Sequence, residues 1–513
     1  MIRRLAPAAL FLGACSTRLV AQLPLVTAPQ HTVRIDLSGS FYPNERVWVD
    51  GTTQPLGLLV NGGTNAMIST LQSGLATALG QPVSGLSIGT INVVAAREHG
   101  VGDIGLAYGL TRRITIFGSV PIVYVRSRVS PTLDATSANV GINPGHPVLG
   151  NAGDLALDNE FLTAFRDAMT ELGVRIQRGD FVNDPASLAL AQQALSSGNS
   201  LRSALVTLLA SPVLPVVSDP SAAQLLTRIN ALQNTLTGQL GDTTTFSSTP
   251  SLPSVPLNND QLGTLVASSG GFGLAFGNDL GHFALGDMEA GAAVELLQQG
   301  HVGGPSWRSA WLRLSARFPT GVAPNPGILL DQGFGSRHPT AQVDAIVELG
   351  HSRLGLRGQA SYQHQFPWNG LRLITPPDQL LAPQSSLAAV RSAPGDSIAV
   401  VARPFFGFAP HLAVAGFAEY WWKARNRTSY ITGQAPVAGI DVAVVDDGTA
   451  ANAVVLGIGL SYVHDGTRRD GTAGLPIEAG WSIERTITSG RGIFPYTLTS
   501  RVSLRIYRPL FAH

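Results

Sequence analysis

Residues 99–120 read HGVGDIGLAYGLTRRITIFGSV, and two folds compete for them. Gly100, Gly102 and Gly105 fall in the order G-x-G-x-x-G, which in dinucleotide-binding proteins cradles a pyrophosphate. That loop works only between a strand and a helix, because the helix N-terminus supplies the free N–H groups. No helical period follows here. Ile104, Leu106, Tyr108 and Leu110 share one parity while Asp103, Gly105, Ala107 and Gly109 share the other, and alternation resumes after Thr111-Arg112-Arg113. A period of two means strand, turn, strand. With 57 glycines in 513 residues the fingerprint arises by chance. The reading makes 91–110 one long strand, bulged at Gly100 to Gly102, where a bulge favours glycine.

Composition points the same way. Only 13% of the chain is charged, against about 25% in ordinary globular proteins. Mean hydropathy is positive, yet no apolar run approaches the roughly 20 residues of a spanning helix. A barrel reconciles the two, since membrane strands are short and alternate. Net charge is +1 and the basic residues are dispersed, which argues against nucleic acid as a partner. Lys423 is the only lysine, and Cys15 the only cysteine.

The N-terminus reads as a secretory signal peptide over 1–21: Met-Ile-Arg-Arg, then the apolar run Leu5 to Ala14. Leu12-Gly13-Ala14-Cys15 resembles a lipobox, whose leader would end before Cys15 and leave it lipidated; cleavage after Ala21 would discard it.

About twelve segments alternate well enough to be membrane strands. Val33, Ile35, Leu37 and Phe41 oppose Arg34, Asp36, Ser38 and Ser40; Met288, Ala290, Ala292, Val294 and Leu296 oppose Asp287, Glu289 and Glu295. Leu312, Leu314, Ala316 and Phe318 oppose Arg313, Ser315 and Arg317. Val343, Ala345, Val347 and Leu349 oppose Asp344 and Glu348, and Leu354, Leu356, Ala360 and Tyr362 oppose Arg357. Near the end, Ile477, Ala479, Trp481 and Ile483 oppose Glu478 and Glu484, while Val502, Leu504 and Ile506 oppose Arg501 and Arg505. A soluble sandwich also alternates, so connection lengths decide. Short connections (111–113, 298–307, 351–352, 406–409, 465–474) alternate with long ones (129–285, 320–340, 367–395, 425–452, 488–495). Outer-membrane barrels keep that rhythm, with short periplasmic turns and long outer loops.

The expected fold is an all-β membrane protein, a twelve-stranded antiparallel transmembrane β-barrel with a helical extracellular insert. First strands and a short helical loop, Asn65 to Leu79, occupy 32–128; the mainly helical insert takes 129–285; the remaining strands fill 286–511. In the insert Phe161, Phe165, Ala168, Met169 and Leu172 share a helical face, and Asp219-Pro220 opens a second run from Leu225 to Leu240. Ser/Pro/Thr-rich 242–258 reads as a linker. Tyr108, Tyr124, Phe318, Phe366, Trp368, Tyr420, Trp421, Trp422, Tyr462 and Tyr507 lie near strand ends and read as interfacial girdles.

The lumenal charges are the informative constellation. Together with Asp103, the acidic strand of Asp287, Glu289 and Glu295 neighbours the basic strand of Arg313 and Arg317; Asp344 and Glu348 precede Arg357; Glu478 and Glu484 face Arg501 and Arg505. Opposite charges on adjacent strands attract, and a charge inside a narrow barrel needs a partner, so these ladders brace the wall and border any solute route. Gly85-Leu86-Ser87-Ile88-Gly89 matches a nucleophile elbow, but strand-like Thr90 to Val94 follows where a helix is required. The 11 histidines form no metal motif, and no cofactor or catalytic residue is expected.

The stretches GVGDIGLAYGLTRRITIFGSVPIV (100–123), LGDMEAGAAVELL (285–297) and RLSARFPTG (313–321) resemble strand motifs of outer-membrane transporter-like proteins of the phenol meta-pathway family. The ending SRVSLRIYRPLF (500–511) is similar to a barrel-assembly signal, with Ala512 and His513 added beyond its final aromatic. The resemblance covers the strands, roughly half the chain. It implies outer-membrane lipid and the barrel-assembly machinery as partners, and a small-molecule solute. The expected function is passive or gated passage of a small solute, with hydrophobic solutes among the candidates. An adhesin-like barrel whose insert binds a partner is the alternative, and a barrel-embedded hydrolase the third.

Overall fold

The computed structural model describes residues 23–510, apart from 62–63, 242–245, 301–304, 378, 410, 438 and 465–474. The signal-peptide reading, Cys15 and the last three residues lie outside the described residues.

Twelve antiparallel strands close on themselves. In chain order they are β1 (Thr32–Asn44), β2 (Thr90–Gly109), β3 (Ile114–Asp134), β4 (Glu289–Gln299), β5 (Trp307–Arg317), β6 (Thr340–His351), β7 (Leu354–Gln365), β8 (Ser397–Ala409), β9 (Leu412–Lys423), β10 (Ala451–His464), β11 (Ile477–Arg491) and β12 (Leu498–Pro509). Sequential strands pair, and β1 closes the ring on β12 from Thr32↔Pro509 to Phe41↔Ser500. A further strand, Asn278–Leu285, pairs with the outer part of β3.

Alternation follows from two solvents. On β6 Val343, Val347 and Leu349 are exposed outward, whereas Asp344, Ile346 and Glu348 are buried inward. The same split puts Ile35, Ile104, Ile116, Leu314, Leu456 and Val502 outside, so an apolar band surrounds the ring. A closed barrel leaves no backbone group unpaired in lipid, and an apolar exterior of this extent has no other use. The chain is a bacterial outer-membrane barrel. No described helix is long and apolar enough to cross a membrane.

Two sequence readings change. Strand β2 pairs with β3 in unbroken register from Thr90↔Asp134 to Gly109↔Thr115, so no bulge sits at Gly100 to Gly102. Of the three glycines only Gly105, which faces inward, sits tightly: a Cβ on it would lie 3.2 Å from the Cβ of Asp36. Tyr420, Trp422, Tyr462, Phe318 and Phe366 are exposed, as the girdle reading requires, but the reading fails for Tyr507, which is buried in the lumen over Arg34. Nor does it hold for Trp368, which lies in a small sheet outside the barrel (Trp368–Leu373, Leu387–Ala393, Arg427–Tyr430), or for Trp421, which shares the inward parity of Glu419 and Lys423. Parity, not proximity to a strand end, decides where a ring goes.

Strands β2 and β3, 20 and 21 residues long, are about twice the roughly 10 residues a membrane strand needs. Their hairpin therefore projects beyond the bilayer at the long-loop end, carrying the pairing to Asp134, past the boundary read at 129. There Ile91, Ala95, Val129 and Leu133 join the core of a helical cap. Its longer helices are α1 (Thr64–Leu79), α2 (Ala152–Arg178), α3 (Pro185–Leu209), α4 (Pro220–Asn234) and α5 (Asn259–Ala267). Each of α2 to α5 starts on a capping side chain: Asn151, Asp184, Asp219 and Asn258 accept from backbone N–H groups of the first turn. Phe161, Phe165 and Phe246 form the aromatic centre, with Phe165 stacked on Phe246 at 4.5 Å. Gly198 gives α3 close approach to α2, since a Cβ there would fall 2.3 Å from the Met169 sulfur.

Candidate functional site

The lumen holds a cavity of about 760 Å³, bounded by the wall, a floor and a roof. Neither the floor nor the roof is barrel strand.

The floor is the segment Leu23–Ala28, which enters the lumen at the short-turn end. An extended segment offers unpaired carbonyls and N–H groups, and a buried one needs partners for them. The wall supplies these: Arg357 donates to the Pro24 carbonyl (2.9 Å), Arg505 to Leu25 (2.8 Å) and Arg34 to Leu25 (3.2 Å). The Leu25 N–H donates to Glu478 (3.0 Å), and that of Ala28 to the Thr115 hydroxyl (2.8 Å). Leu23 is buried against Trp307 and Phe405.

The roof is the β5–β6 connection, residues 318–339, folded inward. Asp287 anchors it, accepting from the Gly321 N–H (3.0 Å), the Ser336 N–H (2.7 Å) and the Ser336 hydroxyl (2.8 Å). A Cβ on Gly335 would lie 2.3 Å from Asp287 Oδ1, so this close seat requires glycine. Arg97 holds the Leu330 carbonyl at 3.0 Å, while Leu329 and Leu330 enter the cap's core. Roof and cap are thus one packed body.

The charged residues expected from sequence distribute unevenly. Arg313 meets Glu289 at 2.5 Å and Arg317 meets it at 3.7 Å; Arg501 meets Glu484 at 2.9 Å. Asp36 joins Arg34 (2.8 Å) and Arg505 (3.3 Å), and Glu478 also reaches Arg505 (3.5 Å). Arg357 pairs with Glu348 at 2.5 Å rather than with Asp344, which is fully buried and accepts from Gln342 (2.8 Å) and Gln359 (3.3 Å). Asp287 precedes β4 and is the roof anchor, not a rung of a ladder. Glu295 faces Trp311 at the short-turn end and does not line the cavity. Asp103, Glu289, Arg317, Glu484 and Arg501 do line it.

Several lumenal residues were not singled out from sequence. Arg403 and Phe417 line the cavity, and His99, stacked on Tyr42 at 5.1 Å, lines it with an Nδ1 that has no hydrogen-bond partner among the described residues. In VVARPFFGF (400–408) both parities are apolar, so Arg403 has no alternating frame to mark it as inward. The signal lay in the outward series Ile398, Val400, Pro404, Phe406 and Phe408, whose parity leaves Arg403 on the inward face.

Ser87, in the elbow-like motif, lies in coil that leads into β2; its hydroxyl accepts from the Gly89 N–H at 3.0 Å. Among the described residues no group of three or more His, Cys, Asp or Glu side chains is placed to hold a metal.

No family model matches the chain, and no curated protein matches it. Among solved structures it is similar to an outer membrane channel from Pseudomonas putida F1, at 9% identity and TM-score 0.41, covering 95% of this chain and 99% of that one. It is also similar to the transport unit of the autotransporter AIDA-I from Escherichia coli (5% identity, TM-score 0.31, 94% and 93% covered). A third likeness is to the Pseudomonas putida toluene transporter TodX (8% identity, TM-score 0.25, 93% and 89% covered).

Proposed function

We propose that this barrel passes a small solute across the outer membrane through its lumen, and that floor and roof set the rate. The observation that carries the reading is the 760 Å³ cavity, enclosed by a closed wall and bordered by charged side chains. Pockets of about 300–1,000 Å³ suit small organic molecules. A wall stabilised only for its own sake would fill that volume with side chains. What supports gating is the kind of contact at each end: the floor is held mainly by hydrogen bonds to its backbone, the roof by Asp287 on the wall side and by its packing on the cap, and neither is a barrel strand.

On this reading the helical cap faces the cell surface, and it covers the roof. The three motifs quoted above support kinship with the phenol meta-pathway transporter-like barrels. Conductance in planar bilayers tests the proposal. A folded barrel that raises flux above background supports it, and one that does not contradicts it. Deleting 135–277 separates a lid from an adhesin-like surface domain: loss of a lid raises flux, whereas loss of an adhesin abolishes partner binding and leaves flux unchanged.

A further inference from the structure

Of the arginines that line the cavity, Arg403 differs in its surroundings. Arg501 and Arg317 have carboxylates within ion-pair distance. Arg403 has none among the described residues and makes no hydrogen bond there; its guanidinium lies over the Phe417 ring, 5.2 Å from the centroid. Its register partner on β7, Arg357, is already committed to Glu348 and to the Pro24 carbonyl. Glu419, further along β9, lies outside the cavity lining. A guanidinium withdrawn from bulk water without a carboxylate is costly, and a ring face offsets only part of that.

The opposite wall presents one carboxylate, Asp103, with no arginine within ion-pair distance among the described residues, and a second, Glu289, already paired with Arg313 and Arg317. Asp103 on β2 stands six strands from β8, half-way round a ring of twelve, and Glu289 is next but one to it on β4. Val101 on β2, Pro121 and Val123 on β3, Phe334 of the roof and Leu23 of the floor give the cavity an apolar lining. A molecule at home here carries a planar anion at one end and an apolar body at the other. Carboxylates match the guanidinium fork in a bidentate pair. Asp103 on the facing wall disfavours a second negative charge at that end.

We propose that the cavity binds small organic monocarboxylates, with Arg403 taking the carboxylate and Phe417 holding the guanidinium in place. This rests on the channel reading for its biological sense, though binding itself is measured separately.

The test uses the full-length barrel in detergent and three probes sharing one ring: benzoate, neutral benzyl alcohol and cationic benzylamine. Equilibrium binding is followed by saturation-transfer NMR, and entry into proteoliposomes is measured alongside. The expected result is saturable benzoate binding at least tenfold tighter than that of either other probe, falling about tenfold or more in Arg403→Gln and partly retained in Arg403→Lys. Benzyl alcohol should respond equally little to both variants. Benzoate bound no better than benzyl alcohol by the unaltered protein overturns the proposal without any variant, as does benzoate binding that survives in folded Arg403→Gln. Benzoate binding without entry contradicts the channel reading alone. Equal entry of all three probes, indifferent to Arg403→Gln, contradicts the carboxylate site alone.

Discussion

The barrel wall and the helical cap bury opposite kinds of residue. In the wall Asp344 and Glu348 are buried while Val347 is 49% exposed; in the cap Phe161 and Phe165 are fully buried while Val206 is 44% exposed. The two valines have nearly the same accessibility and different surroundings. Val347 faces hydrocarbon and Val206 faces water. Accessibility therefore says nothing about cost until the solvent is named, and the same rule of patterning yields inverted cores on the two sides of the membrane surface.

The largest effect that sharpens this contrast is Phe165→Ala, which removes the ring stacked on Phe246. It should cost the cap about 3–5 kcal/mol. Amide hydrogen exchange should show lost protection in α2 and α3 with β6 and β12 unchanged; equal loss in the wall would show that the two regions share one core. Next comes the valine pair. Val347→Arg should destabilise folding into lipid vesicles by about 2–4 kcal/mol, because a charge on the lipid face must be desolvated. Val206→Arg should change stability by no more than about 0.5 kcal/mol. Equal costs would break the comparison.

A smaller effect is expected where wall and cap meet. Asp287→Ala orphans the N–H groups of Gly321 and Ser336 and should cost about 1–3 kcal/mol locally. Single-channel recording should register it as higher conductance through a loosened roof, and unchanged conductance would remove the roof from the gate. The smallest effect concerns Asp158 in α2. Burial pushes its carboxyl pKa up, opposed by the hydrogen bond from the Ser251 N–H at 2.7 Å and helped by nearby Asp154. An acid whose folded pKa is raised binds its proton more tightly when folded, so its contribution is present at acid pH and is lost as pH rises through that pKa. Asp158→Asn keeps an acceptor for Ser251 and should flatten the slope. Thermal melts of the cap should then match the parent at low pH and equal or exceed it at neutral pH; a steeper loss with rising pH would contradict the assignment.

The legibility of the sequence follows the same division. On β1, β6 and β12 lipid enforces a strict period of two, so Arg34, Asp344 and Arg501 could be turned inward by parity alone. Strand β8 carries apolar residues on both faces, and Arg403 escaped notice. The α2 stripe was readable from Phe161 to Leu172, but α3 buries Ala191, Ala194 and Gly198, small residues that leave a faint stripe. The floor and roof were the least legible. Irregular segments have no period, and nothing local in Leu23–Ala28 or 318–339 says that the chain turns into the lumen. Only the side chains that receive them do so, Arg357 and Arg505 for the floor and Asp287 for the roof, and in the sequence each already had a simpler use in the charge ladders of the wall.

The central claim is that one face of each strand meets lipid and the other a closed lumen. With Cys15 replaced by alanine, single cysteines at 342 to 349 carrying spin labels can be compared for access to oxygen, which partitions into lipid, and to a water-soluble nickel chelate. The account predicts high oxygen access at 343, 345, 347 and 349 and low access at 342, 344, 346 and 348, with apolar Ile346 following its parity and not its hydropathy. Oxygen access that tracks hydropathy, or fails to alternate, would contradict it.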